Sequence, residues 1–221
     1  MNATAVLLSA GLDSAVLVAS EAQRAQVHPV YVSAGLAWER EERAMAGRLL
    51  QAPLFRNVKP LVTLDFTARD LYDRSHWALR GTPPASDTPD SDVYLVGRNV
   101  MLVTKVAIYC AQHGISRIAL GPLAANPFPD ATPAFFAAIS TALTLGLAQP
   151  IEVVTPFAQM HKADVIRAGI ELGVPLGLTL SCMEPRRGRH CGRCSKCRER
   201  RDAFAAAHVA DPARFAVTTS R

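Results

Sequence analysis

The chain has 221 residues, 49% of them hydrophobic and 19% charged, with a mean hydropathy of +0.12. That is enough apolar side chain to bury a core and excludes a largely disordered protein. Residues 186–201 carry a formal +7 of the net +5, which leaves −2 on the rest and confines any anion-attracting surface to that one segment. Five cysteines, four of them between positions 182 and 197, suit a metal clip in a reducing cytoplasm better than the disulfides of a secreted chain. The N-terminal stretch meets Asp13 before it is apolar enough for a signal sequence.

In chain order, residues 4–8 predict a strand, 15–25 a helix and 29–33 a second strand. Further strands are predicted over 58–64, 117–120 and 151–154, and helices over 39–50, 99–113 and 162–172. Strands that alternate with helices predict an α/β fold with a doubly wound parallel sheet, whose ligands bind beyond the carboxyl ends of the strands. Residues 81–92, rich in Pro, Ser, Thr and Asp, are expected to form a mobile loop and lid over those ends. Residues 121–133, with four prolines, predict an ordered loop at the site. Residues 131–151 carry no charge but are too broken by Pro133, Gly146 and Pro150 for a membrane span, so a buried or dimer-facing helix is expected.

Between the first strand and its helix lies Ser9-Ala10-Gly11-Leu12-Asp13-Ser14. Small residues let the backbone curl so that its N–H groups point inward, and a helix N-terminus adds partial positive charge, the geometry of a phosphate cradle. Ser9 and Ser14 offer hydroxyl donors. Asp13 would repel phosphates unless a cation lay between them, which implies Mg²⁺. The alternative is an ordinary turn with Asp13 or Ser14 capping the helix.

Cys182, Cys191, Cys194 and Cys197 are spaced so that a short chain can wrap one ion, and tetrahedral Zn²⁺ fits best. An iron–sulfur cluster lacks its closing Cys-Pro, and a redox Cys-x-x-Cys pair is a further alternative. His190 could replace a sulfur, although four thiols already fill the shell. Cys110, in a helical apolar stretch, reads as a buried structural thiol.

The loop resembles the Ser-Gly-Gly-x-Asp-Ser signature of the PP-loop ATP pyrophosphatases, with Ala10 in place of one glycine. An alanine at positive φ is strained, so the match is expected to place residue 10 at negative φ. Together with the four cysteines, the chain resembles the QueC/ExsB family of deazapurine and queuosine biosynthesis. Tyr94-Leu95-Val96-Gly97-Arg98-Asn99 resembles the family's Tyr-Val-Pro-Gly-Arg-Asn, and Phe128-Pro129-Asp130 its Tyr-Pro-Asp. Lys162-Ala163-Asp164 resembles its Lys-Ala-Glu, and Thr179-Leu180-Ser181-Cys182 its Thr-Trp-Ser-Cys.

The resemblance implies an adenine nucleotide α-hydrolase-like domain over 1–178 and a zinc-binding segment over 179–221. It also implies a cytoplasmic, ATP-driven ligation of 7-carboxy-7-deazaguanine with ammonia, through an adenylate and an amide to the nitrile. ATP with Mg²⁺ would lie on Ser9, Ala10, Gly11, Leu12, Asp13, Ser14 and Gly121. Asp13, Ser14, Arg98 and Lys162 would be catalytic, Asn99, Phe128, Asp130 and Ser181 would meet the deazapurine, and the four cysteines would hold Zn²⁺. The chain departs from the pattern at 34–39, at Ala131-Thr132 and at Leu180 and Met183, so remodelling is expected on the acceptor side. A tRNA-modifying ligase with the basic segment as RNA footprint, and a non-catalytic zinc-bearing module, are the alternatives. A homodimer is expected.

Overall fold

A computed structural model describes residues 2–124 and 126–216, without the side chain of Asp90; residues 217–221, the end of the expected C-terminal segment, lie outside it. Five parallel strands, β1 (Ala3–Leu7), β2 (Gln26–Ser33), β3 (Val62–Asp65), β4 (Arg117–Ala119) and β5 (Glu152–Val154), form one sheet in the order β3-β2-β1-β4-β5. The chain winds outward from β1 to one edge and then returns to build the other. The strand order therefore reverses between β1 and β4, where Val6 lies opposite Ala119. Such a reversal opens a crevice at the strand ends.

Alternation along the strands feeds two cores. Ala5, Val30, Val32, Ile118 and Val153 pack under α4 (Arg98–Gln112) and α5 (Pro133–Leu147). Val6 and Leu8 face the other side, with α1 (Leu12–Ala22), α2 (Glu39–Leu50) and α6 (Lys162–Glu171). Leu12, Leu17, Leu49 and Ile166 are fully buried there, each stabilising by about 1.5–3 kcal/mol relative to exposure. A Cβ on Gly169 of α6 would come within 2.8 Å of Val16 on α1, so these helices cross where nothing larger than glycine fits. The same core continues into α7 (Ser195–Ala206) through Cys197 and Phe204.

Three expectations change. The third strand starts at Val62 rather than 58, because Pro60 has no N–H to continue the ladder that Lys59 begins with the carbonyl of Val27. The 81–92 loop is not a free lid over the strand ends: Ala85 bridges Cys194, tying the loop to the cysteine segment. The uncharged α5 buries only Phe136 and leaves Leu145 77% exposed, so of its two expected placements, buried or dimer-facing, the buried one does not hold. Cys110 is buried as expected, and burial pushes its thiol up to about 12. Among the described residues no helix is long and apolar enough to cross a membrane.

Candidate active site

The 9–14 loop leaves β1 at the reversal of strand order and runs straight into α1, whose N-cap is Gly11 with no side-chain cap, so neither Asp13 nor Ser14 is a capping residue. Ala10 does not take the expected negative φ: it sits at +59°, fully buried. The left-handed kink is held by its own carbonyl, which accepts from Leu180 N at 2.8 Å. Ser14 Oγ donates to the Gly11 carbonyl at 3.0 Å, while the amides of Gly11 and Leu12 reach only long contacts, to Ser9 Oγ at 3.3 Å and Ser181 Oγ at 3.4 Å. Phosphate oxygens would replace such weak partners readily.

Asp13, in the first turn of α1, is the charged centre of this corner. Its Oδ2 lies 3.3 Å from Lys162 Nζ, and its Oδ1 is buried without a protein partner. A buried carboxylate oxygen left unpaired suits a hard cation such as Mg²⁺. Burial raises the Asp13 pKa, against Lys162, which lowers it. Lys162 begins α6 and is also bonded to Glu199 of α7, which in turn accepts from Lys196 at 2.8 Å. Burial acts to lower Lys162, but Asp13 and Glu199 outweigh it and keep the ammonium charged. Burial likewise acts to raise Glu199, yet Lys162 and Lys196 hold it down at about 2.

Two adjoining cavities, about 230 Å³ and 280 Å³, open at this point. Neither reaches the ~300–1,000 Å³ usual for a ligand site, and since Ser9, Asp13, Arg98 and Asn99 line both, they are halves of one site. The first lies over the strand ends, between Leu8, Val32 and Gly121. The second has aromatic walls: Trp38 stacks on Trp77 at 5.7 Å, and Tyr94 on Phe128 at 4.9 Å. Ser181, Cys182 and Lys196 close it from the cysteine segment.

The expected residues converge, with one change of emphasis. Gly97, at φ +72°, turns the chain so that Arg98 begins α4; Arg98 has a buried Nε with no partner, and such a donor awaits an anion. Asn99 and Asp130 first serve each other. Asp130 accepts from the Asn99 backbone at 2.9 Å, capping α4, and its carbonyl accepts from Asn99 Nδ2 at 2.9 Å. Asp130 is pushed up by burial, and that bond opposes the shift.

Trp38, Trp77, Glu42, Tyr31, Glu199 and Arg200 escape the sequence reading. Arg200 is 1% exposed, binds Asp211 through Nε and Nη2, and donates to Thr179 Oγ1 at 2.8 Å, anchoring the stretch that meets the loop. Its signal was the arginine three residues after Cys197. Trp38 and Trp77 come from distant segments and carry no local signal.

The four sulfurs lie within 4.8 Å of one another and all four cysteines are buried. A tetrahedron with bonds near 2.3 Å has edges of about 3.8 Å, and Cys191–Cys197 and Cys194–Cys197 measure 3.8 and 3.5 Å. The donor set fits Zn²⁺. Backbone N–H groups of Cys191 and Glu184 point at Cys182 Sγ, at 3.2 and 3.4 Å, which favours the thiolate. His190 is no ligand: its Nε2 accepts from Ser181 N at 3.0 Å, and burial holds it neutral, at about 4. Of the eight basic residues in this segment, Arg186 and Arg193 share Glu184, Lys196 pairs with Glu199 and Arg200 with Asp211, so half of the basic side chains of the expected footprint are held in ion pairs.

Sheet order, loop and cysteine centre together define a PP-loop type α/β protein with a C-terminal four-cysteine metal site. The chain belongs to the family described as queuosine biosynthesis protein QueC, which it matches over residues 3–208. It is 34% identical to a 7-cyano-7-deazaguanine synthase of Anaeromyxobacter dehalogenans, over 96% of this chain and 94% of that one. It is 31% identical to that of Xanthomonas campestris pv. campestris strain B100, over 99% of this chain and 100% of that one. Among solved structures, a predicted subunit of tRNA methyltransferase from Methanocaldococcus jannaschii aligns at a TM-score of 0.48 and 16% identity, over 77% of this chain and 75% of that one.

Proposed function

We propose that the chain is an ATP-dependent ligase that converts 7-carboxy-7-deazaguanine and ammonia into 7-cyano-7-deazaguanine. The observation that carries this reading is the pair of adjoining cavities, one on the phosphate loop and one walled by stacked aromatics, with Asp13 and Arg98 between them. A carboxylate is a poor electrophile until one oxygen becomes part of a leaving group. Its oxygen attacks the α-phosphorus of ATP, pyrophosphate departs, and ammonia then displaces AMP to leave an amide. A second round on the amide oxygen gives the nitrile.

The residues divide the work. Ser9, Ala10, Gly11, Leu12, Ser14 and Gly121 shape the nucleotide half, with the loop amides and hydroxyls taking the departing pyrophosphate. Mg²⁺, held by Asp13, supplies charge neutralisation at the phosphates. Arg98 and Lys162 bring fixed positive charge to the reacting groups. Phe128 stacks on the flat base while Asn99, Asp130 and Ser181 border it. Zn²⁺ on Cys182, Cys191, Cys194 and Cys197 is structural, because four thiolates leave no position for water. The exposed, uncharged face of α5 with Leu145 packs against a second copy in a homodimer, and light scattering should show Leu145→Glu as a monomer.

The test of the reaction is product mass after incubation with ATP, Mg²⁺, ammonium and the carboxylated base. Amide and nitrile with AMP support it. Pyrophosphate release stimulated by a different carboxylate, with no amide or nitrile, would leave the ligase chemistry standing and remove this acceptor.

A further inference from the structure

Amide formation from ammonia has a proton problem that the residues named so far do not solve. At neutral pH ammonia is mostly ammonium, which has no lone pair to attack with, and once nitrogen has bonded to carbon it must shed a proton for the amide to form. A proton acceptor has to sit where nucleotide and acceptor meet. Among the described residues, Asp13 and Glu42 are the only acids that line both cavities. Asp13 pairs with Lys162 through Oδ2, and on the reading above its other oxygen would hold Mg²⁺. That leaves Glu42.

Glu42 lies on α2 and is 8% exposed, yet it borders both cavities. Its Oε2 accepts from the buried Tyr31 hydroxyl of β2 at 2.8 Å, and the Trp38 side chain also bonds the carboxyl, so both donors fix its orientation. The charged groups around it are Glu39 on its own helix and Arg98 on α4, beside the neutral Tyr31 hydroxyl on β2. Glu39 is fully occupied by Ser33 Oγ at 2.7 Å and the amide of Ala34 at 2.6 Å, so it does not compete for the role. Burial lifts Glu42 to about 7, against the pull of Arg98 and the Tyr31 bond. A base titrating near the working pH combines adequate basicity with an ionised population. The same burial keeps Tyr31 protonated, since its pKa is raised by desolvation and by Glu42, so the hydroxyl remains a donor that orients the carboxylate.

We propose that Glu42 is the general base of the amination step, held in place by Tyr31. In that step the N–C bond forms as ammonia attacks the adenylated carbonyl, one N–H proton passes to the Glu42 carboxylate, and the C–O bond to AMP breaks with the electron pair leaving on AMP. The proton then goes to solvent. This rests on the adenylating reading above but is separable from it, because adenylation itself needs no base on nitrogen.

The experiment compares Glu42→Gln with the wild type in two assays, using whichever carboxylate stimulates pyrophosphate release. Pyrophosphate exchange with no nitrogen nucleophile reports adenylation; failure of the wild type with the deazapurine carboxylate in this arm alone defeats the acceptor reading, not the base. Amide formation with ammonium, against hydroxamate formation with hydroxylamine, reports the base. Hydroxylamine is far less basic than ammonia and is already neutral near pH 7. The expected result is exchange within about threefold of wild type, a loss of amide of about 10²–10⁴-fold, and hydroxamate restored to within about tenfold. At a fixed concentration of neutral ammonia, the wild-type amination rate should rise with pH through about 7, and that limb should vanish in Glu42→Gln. Wild-type amide rates in the variant, or equal loss of exchange and both products in a folded variant, overturn the assignment. Should Glu42→Gln not fold, Glu42→Asp replaces it, and an unmoved pH limb with undiminished amination overturns the assignment equally.

Discussion

The proposed nucleotide half of the site and the proposed acceptor half are built in opposite ways. The first comes from one unbroken stretch, β1 through the 9–14 loop into α1, set where the strand order reverses. The second is assembled from Trp38, Trp77, Tyr94, Phe128 and the 180–183 stretch, five places along the chain with no common element. A contiguous loop keeps its geometry from its own backbone and the sheet beneath it. An assembled wall keeps its geometry only as long as every segment is held, and here the cysteine centre, Arg200 and the Lys162–Glu199 pair do the holding.

The largest test of that difference is metal removal. Structural zinc contributes on the order of 10 kcal/mol to small metal-dependent folds, so chelation should release one Zn²⁺ per chain, lower the thermal midpoint by well over 10 °C and abolish amide formation. Because Leu180 N and Ser181 Oγ also touch the phosphate loop, nucleotide binding should weaken too, though less than acceptor binding. Equal ATP and acceptor affinities before and after chelation, read by calorimetry, would dissolve the distinction between the halves.

Two single changes probe the joint and the loop. Glu199→Gln frees Lys162 from its partner on α7 while leaving Asp13 in place; a hydrogen bond to a charged group is worth about 1.5–3 kcal/mol, so kcat should fall roughly 10–100-fold with little change in the KM for ATP. Ser14→Ala deletes one donor from the nucleotide half alone. It should cost up to the same range, expressed in pyrophosphate release, and leave acceptor affinity unchanged in a direct binding titration. Trp77→Ala should act on the other side only. Losing its stack on Trp38 removes about 0.5–1.5 kcal/mol, a rise of a few-fold in the acceptor KM with that for ATP unmoved.

The same contrast explains what the sequence disclosed. Periodicity located β1, α2, α4 and α6 to within a few residues, because each buries one face and its pattern is local. The loop and the cysteines were legible for the same reason, since their chemistry is packed into short spacings. Trp38, Trp77 and Glu42 were not, because only the fold brings α2 and the 77–80 helix to the cavity that the start of α4 also lines. The uncharged α5 shows the limit from the other side: a run without charge reads equally as buried or dimer-facing, and only the fold, which turns Leu145 to the surface, removes the first of these.

The smallest expected effect concerns Ala10, where loop and wall touch. A left-handed φ of +59° costs an alanine about 1–2 kcal/mol, which glycine would recover. Against this, the Ala10 methyl is fully buried and its deletion costs about 0.8 kcal/mol, while glycine's greater freedom in the unfolded chain costs roughly 0.4–1 kcal/mol more. These terms nearly cancel, so Ala10→Gly should shift stability by less than about 0.5 kcal/mol, read as denaturant midpoint at constant slope. Ala10→Val, with a branched Cβ at the same φ, should be clearly destabilised. A gain of well over 1 kcal/mol in Ala10→Gly would mean that the methyl does not support the loop. A comparable loss would mean that the bond from Leu180 N to the Ala10 carbonyl depends on that methyl's packing, and that the wall shapes the loop more than the loop shapes itself.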